Sequence, residues 1–257
     1  MTSNVLTIGD HLRDWRQRRR RSQLDLALDA EVSARHLSFV ETGRAKPSRD
    51  MVLNLADRLS VPLREQNAML LAAGYAPAWS AHAFDSRALA DARATVQHIL
   101  KAHEPFPALA VDRHWNMVAA NAAIGPLIGG AAPHLLQPPA NVLRIALHPQ
   151  GLAPRIVNLA DWAAHILTRL RRDAFATGDP ALAALLDELS GYAPGAIDAH
   201  AEPNIYLPLV LHGEGGGELR FLSTITNFGT PADVTLAELS LETFFPADDV
   251  TRRALGG

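Results

Sequence analysis

The side chains best suited to chemistry in this chain are its arginines, and they are unevenly placed. Residues 1–64 carry 12 Lys+Arg against 8 Asp+Glu, whereas the remainder of the 257 residues carries 12 against 19. The formal net charge of -3 therefore conceals a basic end able to meet a polyanion and an acidic remainder that one would repel. The densest run, Arg18 to Arg21, is usually the signature of a solvated face, and only one or two of its side chains can point at a polyanion together. Enzyme chemistry finds little to work with. The absence of cysteine removes thiol nucleophiles, disulfides and cysteine-ligated zinc. Eleven histidines form no HExxH and no cluster at metal-ligand spacing, and His200 and Ser223 have no triad context. Gly215-Gly216-Gly217 lacks the GxGxxG spacing and a P-loop lysine, so it reads as a turn. Asp233, Glu238 and Glu242 suit a solvated edge as readily as a carboxylate site. The expectation is a protein without catalysis, cofactor or metal.

The elements that must position these groups follow from apolar spacing. Ile8, Leu12 and Trp15 predict a first helix that ends in the basic run. Ser22 is placed to cap a second helix reaching about Ala30, with Leu24, Ala27 and Leu28 facing inward. A third runs from Ser33 to about Thr42 on Leu37 and Val40, and so short a connection makes the two cross steeply. After Pro47-Ser48 a fourth helix uses Val52, Leu55, Ala56 and Leu59. A fifth, Leu63 to Ala73, stops at Gly74 with Pro77 beyond. Residues 74–86 read as a linker and 87–103 as a connecting helix.

Beyond it strand and helix patterns mix. Ala108 to Val111 and Trp115 to Ala119, joined by Asp112-Arg113-His114, predict a hairpin, with Asn121 opening a short helix. Asn158 and Asp179-Pro180 signal helix starts near 159 and 180. Ile205 to His212 and Leu219 to Phe228 read as strands around the Gly-rich turn 213–217. In the last segment Thr235 and Glu238 suit a capping box, yet Leu239, Leu241, Thr243 and Phe245 alternate as a strand ending at Pro246. The composition of Thr243-Phe244-Phe245 favours the strand.

The segment Gln23 to Thr42 resembles the helix-turn-helix of lambda-repressor-like (XRE-type) regulators. Ala27 stands where the helices cross, Val32 in the turn, and Leu37 and Val40 on the second helix, flanked by Ser22-Gln23 and by Glu41-Thr42-Gly43-Arg44-Ala45-Lys46-Pro47-Ser48. One position departs: Glu31 stands where the family usually has Gly, at a cost of about 1 kcal/mol if φ is positive. The resemblance implies that the second helix enters the major groove of a double-stranded DNA operator. Its N-terminal residues Ser33, Ala34, Arg35 and His36, and one turn later Ser38 and Phe39, then reach toward base edges. Arg35 suits a bidentate contact to guanine and Phe39 a thymine methyl, while Gln23, Arg44 and Lys46 would hold phosphates. Arg35 and Phe39 would also serve as ordinary exposed surface.

The remainder resembles the ligand-binding domain of MmyB-like transcription regulators, a PAS-like fold. The resembling pieces are Pro107 to Asn121, Leu143 to Pro149, Asn158 to Trp162, Phe228 to Thr235, Glu242 to Asp248 and the bridging Ala72 to Pro77. The resemblance implies a sensor for a small hydrophobic or amphipathic, fatty-acid-like ligand. Candidate lining residues are Trp115, Ile145, Trp162, Ile166, Leu209, Leu211, Phe221, Ile225 and Phe244, which would equally form a plain core. His148, Asn121 and Asp161 are candidate polar contacts, although Asn121 and Asp161 also suit helix caps.

The fold class expected is thus α+β: an N-terminal all-α five-helix lambda-repressor-like DNA-binding domain (1–73), a linker and connecting helix (74–104), and a C-terminal PAS-like α/β ligand-binding domain (105–257). The partners expected are operator DNA, the ligand and a second copy in a homodimer. The N-terminus runs from mildly apolar to basic, the reverse of a secretory signal, and no run approaches a membrane span, so a cytoplasmic location without a membrane partner is expected. The competing reading is a protein-interaction or antitoxin-like module whose C-terminal domain serves dimerisation only.

Overall fold

The computed structural model describes residues 6–194, 206–213 and 216–256; His200, Gly215 and the expected strand start at Ile205 lie outside them. The chain divides into two compact units, residues 1–81 with 231–234, and residues 82–230 with 235–257.

The first unit holds α1 (Ile8–Arg18), α2 (Gln23–Asp29), α3 (Ala34–Glu41), α4 (Arg49–Arg58) and α5 (Leu63–Ala72). Short side chains start four of them: Thr7, Ser22, Ser33 and Ser48 each accept a hydrogen bond from the backbone N–H three residues on. Leu12, Trp15, Leu26, Ala27, Leu37, Val40, Val52, Leu55 and Leu70 form one core. Leu24 and Leu28 do not join it. They are 58% and 71% exposed, because the side of α2 that meets α1, α3 and α4 carries Leu26 and Ala27 instead. Glu31 does take positive φ (56°) in the turn, after which the Val32 N–H donates to the Ala27 carbonyl (2.9 Å).

A buried carboxylate joins three of these helices. Arg16 on α1 donates to Glu41 at the end of α3 through Nε (2.7 Å) and Nη2 (2.8 Å), and Gln23 on α2 donates to the same carboxylate (2.8 Å). Arg13 donates to the Glu41 carbonyl (2.7 Å). Beside this contact α1 approaches α3 so closely that a Cβ on Gly9 would lie 2.6 Å from the Glu41 carbonyl oxygen. Burial alone would raise the Glu41 carboxyl, but the bonds from Arg16 and Gln23 and the charges of Arg16 and Arg13 outweigh it and hold it below the usual range. Residues past α5 stay with this unit: Asn67 accepts from the Ala78 and Trp79 N–H groups, and the Trp79 indole donates to Gln66 (2.9 Å).

The second unit is built on an antiparallel sheet of β1 (Ala108–Val111), β2 (Met117–Ala120), β3 (Leu209–His212), β4 (Glu218–Asn227) and β5 (Ser240–Pro246), in the order β2-β1-β5-β4-β3. The last segment is therefore a strand, preceded by the single turn α11 (Val234–Ala237). Registers such as Leu109 opposite Glu242 and Thr243 opposite Thr224 fix which side chains share a face. The small residues Ala108 and Ala110, with Leu239 and Leu241, meet Val96 and Leu100 of α6 (Ala90–Ala102). The opposite face, with Leu109, Val111, Phe221 and Phe244, is covered by α7 (Ile124–Ile128), α8 (Val142–Leu147), α9 (Leu159–Thr177) and α10 (Pro180–Tyr192). A short α12 (Asp249–Ala254) follows β5. Gly178, at φ 69°, ends α9, and Asp179 immediately caps α10 through the Ala181 N–H (2.9 Å). The Asp179 carboxylate also meets Arg113 (2.9 Å) and His114 (2.8 Å) in the β1–β2 turn.

Removing one member of a buried ion pair costs about 3–5 kcal/mol. Glu41→Ala is accordingly expected to lower the stability of the first unit by about that amount in urea unfolding followed by circular dichroism. Because the Glu41 carboxyl is held low, its contribution is present above the ordinary carboxylate value and is lost as pH falls through the folded one. The gap between wild type and variant should therefore narrow on acidification.

Candidate nucleic-acid interface and ligand cavity

The outer face of α3 gathers the groups expected to meet DNA. Ser33 caps the helix by accepting from the His36 N–H (3.0 Å), and Arg35 is exposed with its guanidinium 5.4 Å from the centre of the Phe39 ring one turn later. That stacking holds a flexible side chain beside the apolar ring. Ser38 and His36 are half-exposed, while Ala34 packs partly on the core and presents little of its methyl. Arg44 is exposed after α3; Lys46, also exposed, has its ammonium 5.2 Å from the centre of the Tyr75 ring. Gln23 is half-buried and donates to Glu41, which leaves it one amide hydrogen for a phosphate.

The basic run does different work from phosphate binding. Arg19 donates to the Leu59 carbonyl (2.9 Å) and the Ser60 carbonyl (3.1 Å), and Arg21 pairs with Asp29 (2.7 Å) and reaches the Arg58 carbonyl (3.2 Å). Cations thereby satisfy the end of α4, where carbonyls lack partners and the helix dipole is negative. Arg18 pairs with Asp14 on its own helix.

In the second unit a cavity lies between the sheet and α7, α8 and α9. Trp115, Ile145, Trp162, Ile166, Leu209 and Phe244 line it, together with Leu109, Met117, Ile124, Leu127 and Leu143. It is open at its mouth, and its enclosed volume is about 80 Å³. At the roughly 30 Å³ a water occupies in the liquid, that is room for about three waters.

Six expected ligand-contact residues lie elsewhere. Leu211 and Phe221 are fully buried in the packed core, and Ile225 sits half-buried at its margin. His148 ends α8 with its Nδ1 accepting from the Gln150 N–H (3.0 Å) and its ring edge-on to Tyr192, away from the cavity. Asn121 neither caps α7 nor faces the cavity. Its oxygen accepts from the Ala108 N–H (3.1 Å) and its amide donates to the Leu100 and Phe106 carbonyls (3.1 and 2.8 Å), so its hydrogen-bonding capacity is spent joining α6 to β1. Asp161 is exposed in the first turn of α9. Asn158 also makes no helix cap; it donates to the Pro208 carbonyl and accepts from the Val210 N–H.

Three polar residues complete the lining: His165, Arg169 and Glu242. The Arg169 guanidinium lies 4.3 Å from the centre of the Trp115 ring. Trp115 itself is held at φ 67°, a left-handed conformation costly for a bulky side chain. The Asp112 carboxylate supports this turn by accepting from the His114 and Asn116 N–H groups (2.8 and 2.9 Å). Burial pushes the Glu242 carboxyl up, against the charge of Arg169 and a hydrogen bond from Ser223. Burial likewise lowers His165, helped by Arg169 and Arg172. Glu242 shares its strand phase with Phe244, and His165 and Arg169 share the helical face of Trp162 and Ile166, so period alone marks them as inward.

The MmyB-like transcription regulator ligand binding domain matches residues 92–256. The chain belongs to this family. A helix-turn-helix domain matches residues 7–69, and the two together make the protein a DNA-binding transcription regulator. No curated protein matches the regulator's chain. Among the described residues no group of three or more His, Cys, Asp or Glu could hold a metal, and no helix is long and apolar enough to cross a membrane.

The raised Glu242 carboxyl makes the folded regulator bind a proton that the unfolded chain releases, so stability falls as pH rises past the ordinary value of 4.5. Glu242→Gln should therefore raise the melting temperature near neutral pH, and the two proteins should converge below pH 4.5. Differential scanning calorimetry across that range measures the crossover.

Proposed function

We propose that the protein is a one-component sensor: a homodimer reads a roughly palindromic operator through two copies of α3, and a small apolar or amphipathic ligand in the second unit alters that binding. The observation that carries the reading is the pairing of exposed Arg35 with half-buried Phe39 on a helix whose other side is clamped by Glu41. Such a surface projects a donor fork and an apolar ring together, as contact to guanine and a neighbouring thymine methyl requires. One helix offers too small an interface for high specificity, so two half-sites about 34–36 Å apart, or a multiple of that, are expected. The operator meets the protein in the cytoplasm. Base contacts fall to Arg35, Phe39, His36 and Ser38, and phosphate contacts to Arg44, Lys46 and the free amide hydrogen of Gln23. Ser33 and Ala34 support the helix start at the DNA surface.

The ligand occupies the space among Trp115, Ile145, Trp162, Ile166, Leu209 and Phe244. With about 80 Å³ enclosed, against about 150 Å³ for a cavity that takes benzene, even a ring or a short fatty-acid-like molecule needs the walls to shift. A long acyl chain needs the cavity to open first.

Operator selection from random DNA, followed by titration of the selected site, tests the DNA half. Arg35→Ala should lose about 1–3 kcal/mol on the operator and little on random DNA, whereas Lys46→Ala should weaken both and reduce the salt slope by about one. Equal losses on both DNAs for Arg35→Ala would overturn its assignment to base reading. For the sensor half, a ligand that binds the folded state must raise the melting temperature with concentration.

A further inference from the structure

The connection between β4 and β5 has no part in either site described above, although Phe228 to Thr235 is one of the pieces that resemble the family. It does not stay with its strands. Residues 231–234 belong to the first unit, so the chain leaves the second after Thr230 and returns to it at Thr235. Within the first unit the Val234 N–H donates to the Ser80 carbonyl (2.8 Å), Asp233 pairs with Ser80 as a parallel bridge, and both Val234 and Asp233 are buried. Ser80 follows Trp79, whose indole is bonded to Gln66 on α5. Within the second unit Thr235 donates to the His82 carbonyl (2.6 Å). The passage from one unit to the other is covalent and lies inside α11, a single helical turn that begins at Val234 and ends at Ala237.

The other end of this turn leads to the cavity. Glu238, the next residue, pairs with Arg113 (3.5 Å) between β1 and β2, and Arg113 also meets Asp179 (2.9 Å). Two residues beyond Arg113, Trp115 forms a wall of the cavity at φ 67°. The Trp115 carbonyl accepts from the Val142 N–H (2.9 Å) at the start of α8, and Asn141 donates to the His114 carbonyl (2.8 Å). A strained backbone persists only while its surroundings over-determine it in this way. The enclosed volume of about 80 Å³ is too small even for a ring, so a ligand must displace a wall. Of the lining residues described, only Trp115 holds a positive φ, and it alone sheds backbone strain by moving.

We infer that Trp115 is the moving wall, and that the Arg113–Glu238 pair, α11 and residues 231–234 carry its displacement to the DNA-binding unit. The inference rests on the ligand-binding reading above and supplies the route by which a ligand alters operator affinity. Arg113 stands between two acids, so a shift of its turn must change one pair or the other. Glu238 is only 17% exposed, and separating it from a partner away from water is unfavourable, so it follows the guanidinium. One helical turn is too short to absorb that shift by bending. Val234 passes it to Ser80 and so to α5, which packs on α1, and α1 holds Glu41 at the end of α3 through Arg16. Linkage makes the coupling reciprocal: operator binding must act on the cavity wall with the same free energy.

Amide hydrogen exchange of the full chain, with and without an operator selected from random DNA, tests this without a ligand. The expected result is that operator slows exchange in residues 231–239 and in the turn 112–117 by about fivefold or more and leaves α12 unchanged. In Glu238→Gln the operator should still bind and still slow 231–234, but the slowing at 112–117 should disappear, and Glu238→Asp should keep part of it. Unchanged exchange at 112–117 in the wild-type protein would overturn the inference while leaving a DNA-binding unit and a ligand-binding unit in place. Slowing at 112–117 that persists in Glu238→Gln, or that extends equally to α12, would overturn it as well. If no operator can be selected, the DNA half of the sensor reading fails together with this one. The wild-type comparison needs no variant, so it decides even if Glu238→Gln fails to fold.

Discussion

The reading helix is useful only if its orientation is fixed, and one buried carboxylate does most of that fixing. Glu41 ends α3, is 3% exposed, and receives Arg16 from α1 and Gln23 from α2. A charge so enclosed is stable only when its acceptor sites are filled, so losing any donor would leave the others in an unfavourable position. The geometry of three helices is therefore coupled through two oxygen atoms. Gly9 permits this arrangement, because only a residue without Cβ lets α1 come so near the Glu41 and Val40 carbonyls. With the inner side of α3 held in this way, Arg35 and Phe39 project from the other side on a rigid support.

The second unit depends on a different constraint, the two-residue period of its strands. In β1, Leu109 and Val111 go to the cavity-side core, while Ala108 and Ala110 go to the α6 side, where their small size admits the helix. In β5 the same alternation sends Leu241 toward α6 and Glu242 and Phe244 toward the cavity. One strand thus delivers an acid and an aromatic ring to an interior that is otherwise apolar. The acid is tolerated because Ser223 bonds to it, Arg169 lies near and protonation is available. Helix α9 supplies the matching pattern at helical spacing: Trp162, Ile166 and Arg169 recur on one face.

Much of the fold was legible from the residues. The five N-terminal helices, the Ser22 cap and the terminal strand follow from spacing and capping chemistry, both of which are local. Leu24 and Leu28 misled because an apolar residue inside a helical pattern suggests burial, although α2 is short enough for Leu26 and Ala27 alone to fill its contact. The basic run reads as a solvated face with room for one or two side chains on DNA. Two of its arginines, Arg19 and Arg21, in fact reach the end of α4, some forty residues away in sequence, and no local pattern announces such a partner. Asn121 and Asn158 resembled caps because Asn favours helix starts, yet their amides bond carbonyls on other elements.

The sequence by itself determined a basic helical reader, an acidic α+β partner, the turn at Glu31 and the inward phase of most cavity residues. These depend on periodicity and on side-chain bonds to nearby backbone, which act within a few residues. Only the tertiary structure decided that Glu41 joins three helices, that Asn121 is consumed in the core, and that Arg169 and Glu242 meet in one cavity. Each of those facts concerns groups far apart along the chain, brought together by packing. The hydrogen bonds, desolvation and charge that then govern them depend on distance in space and not on separation in sequence.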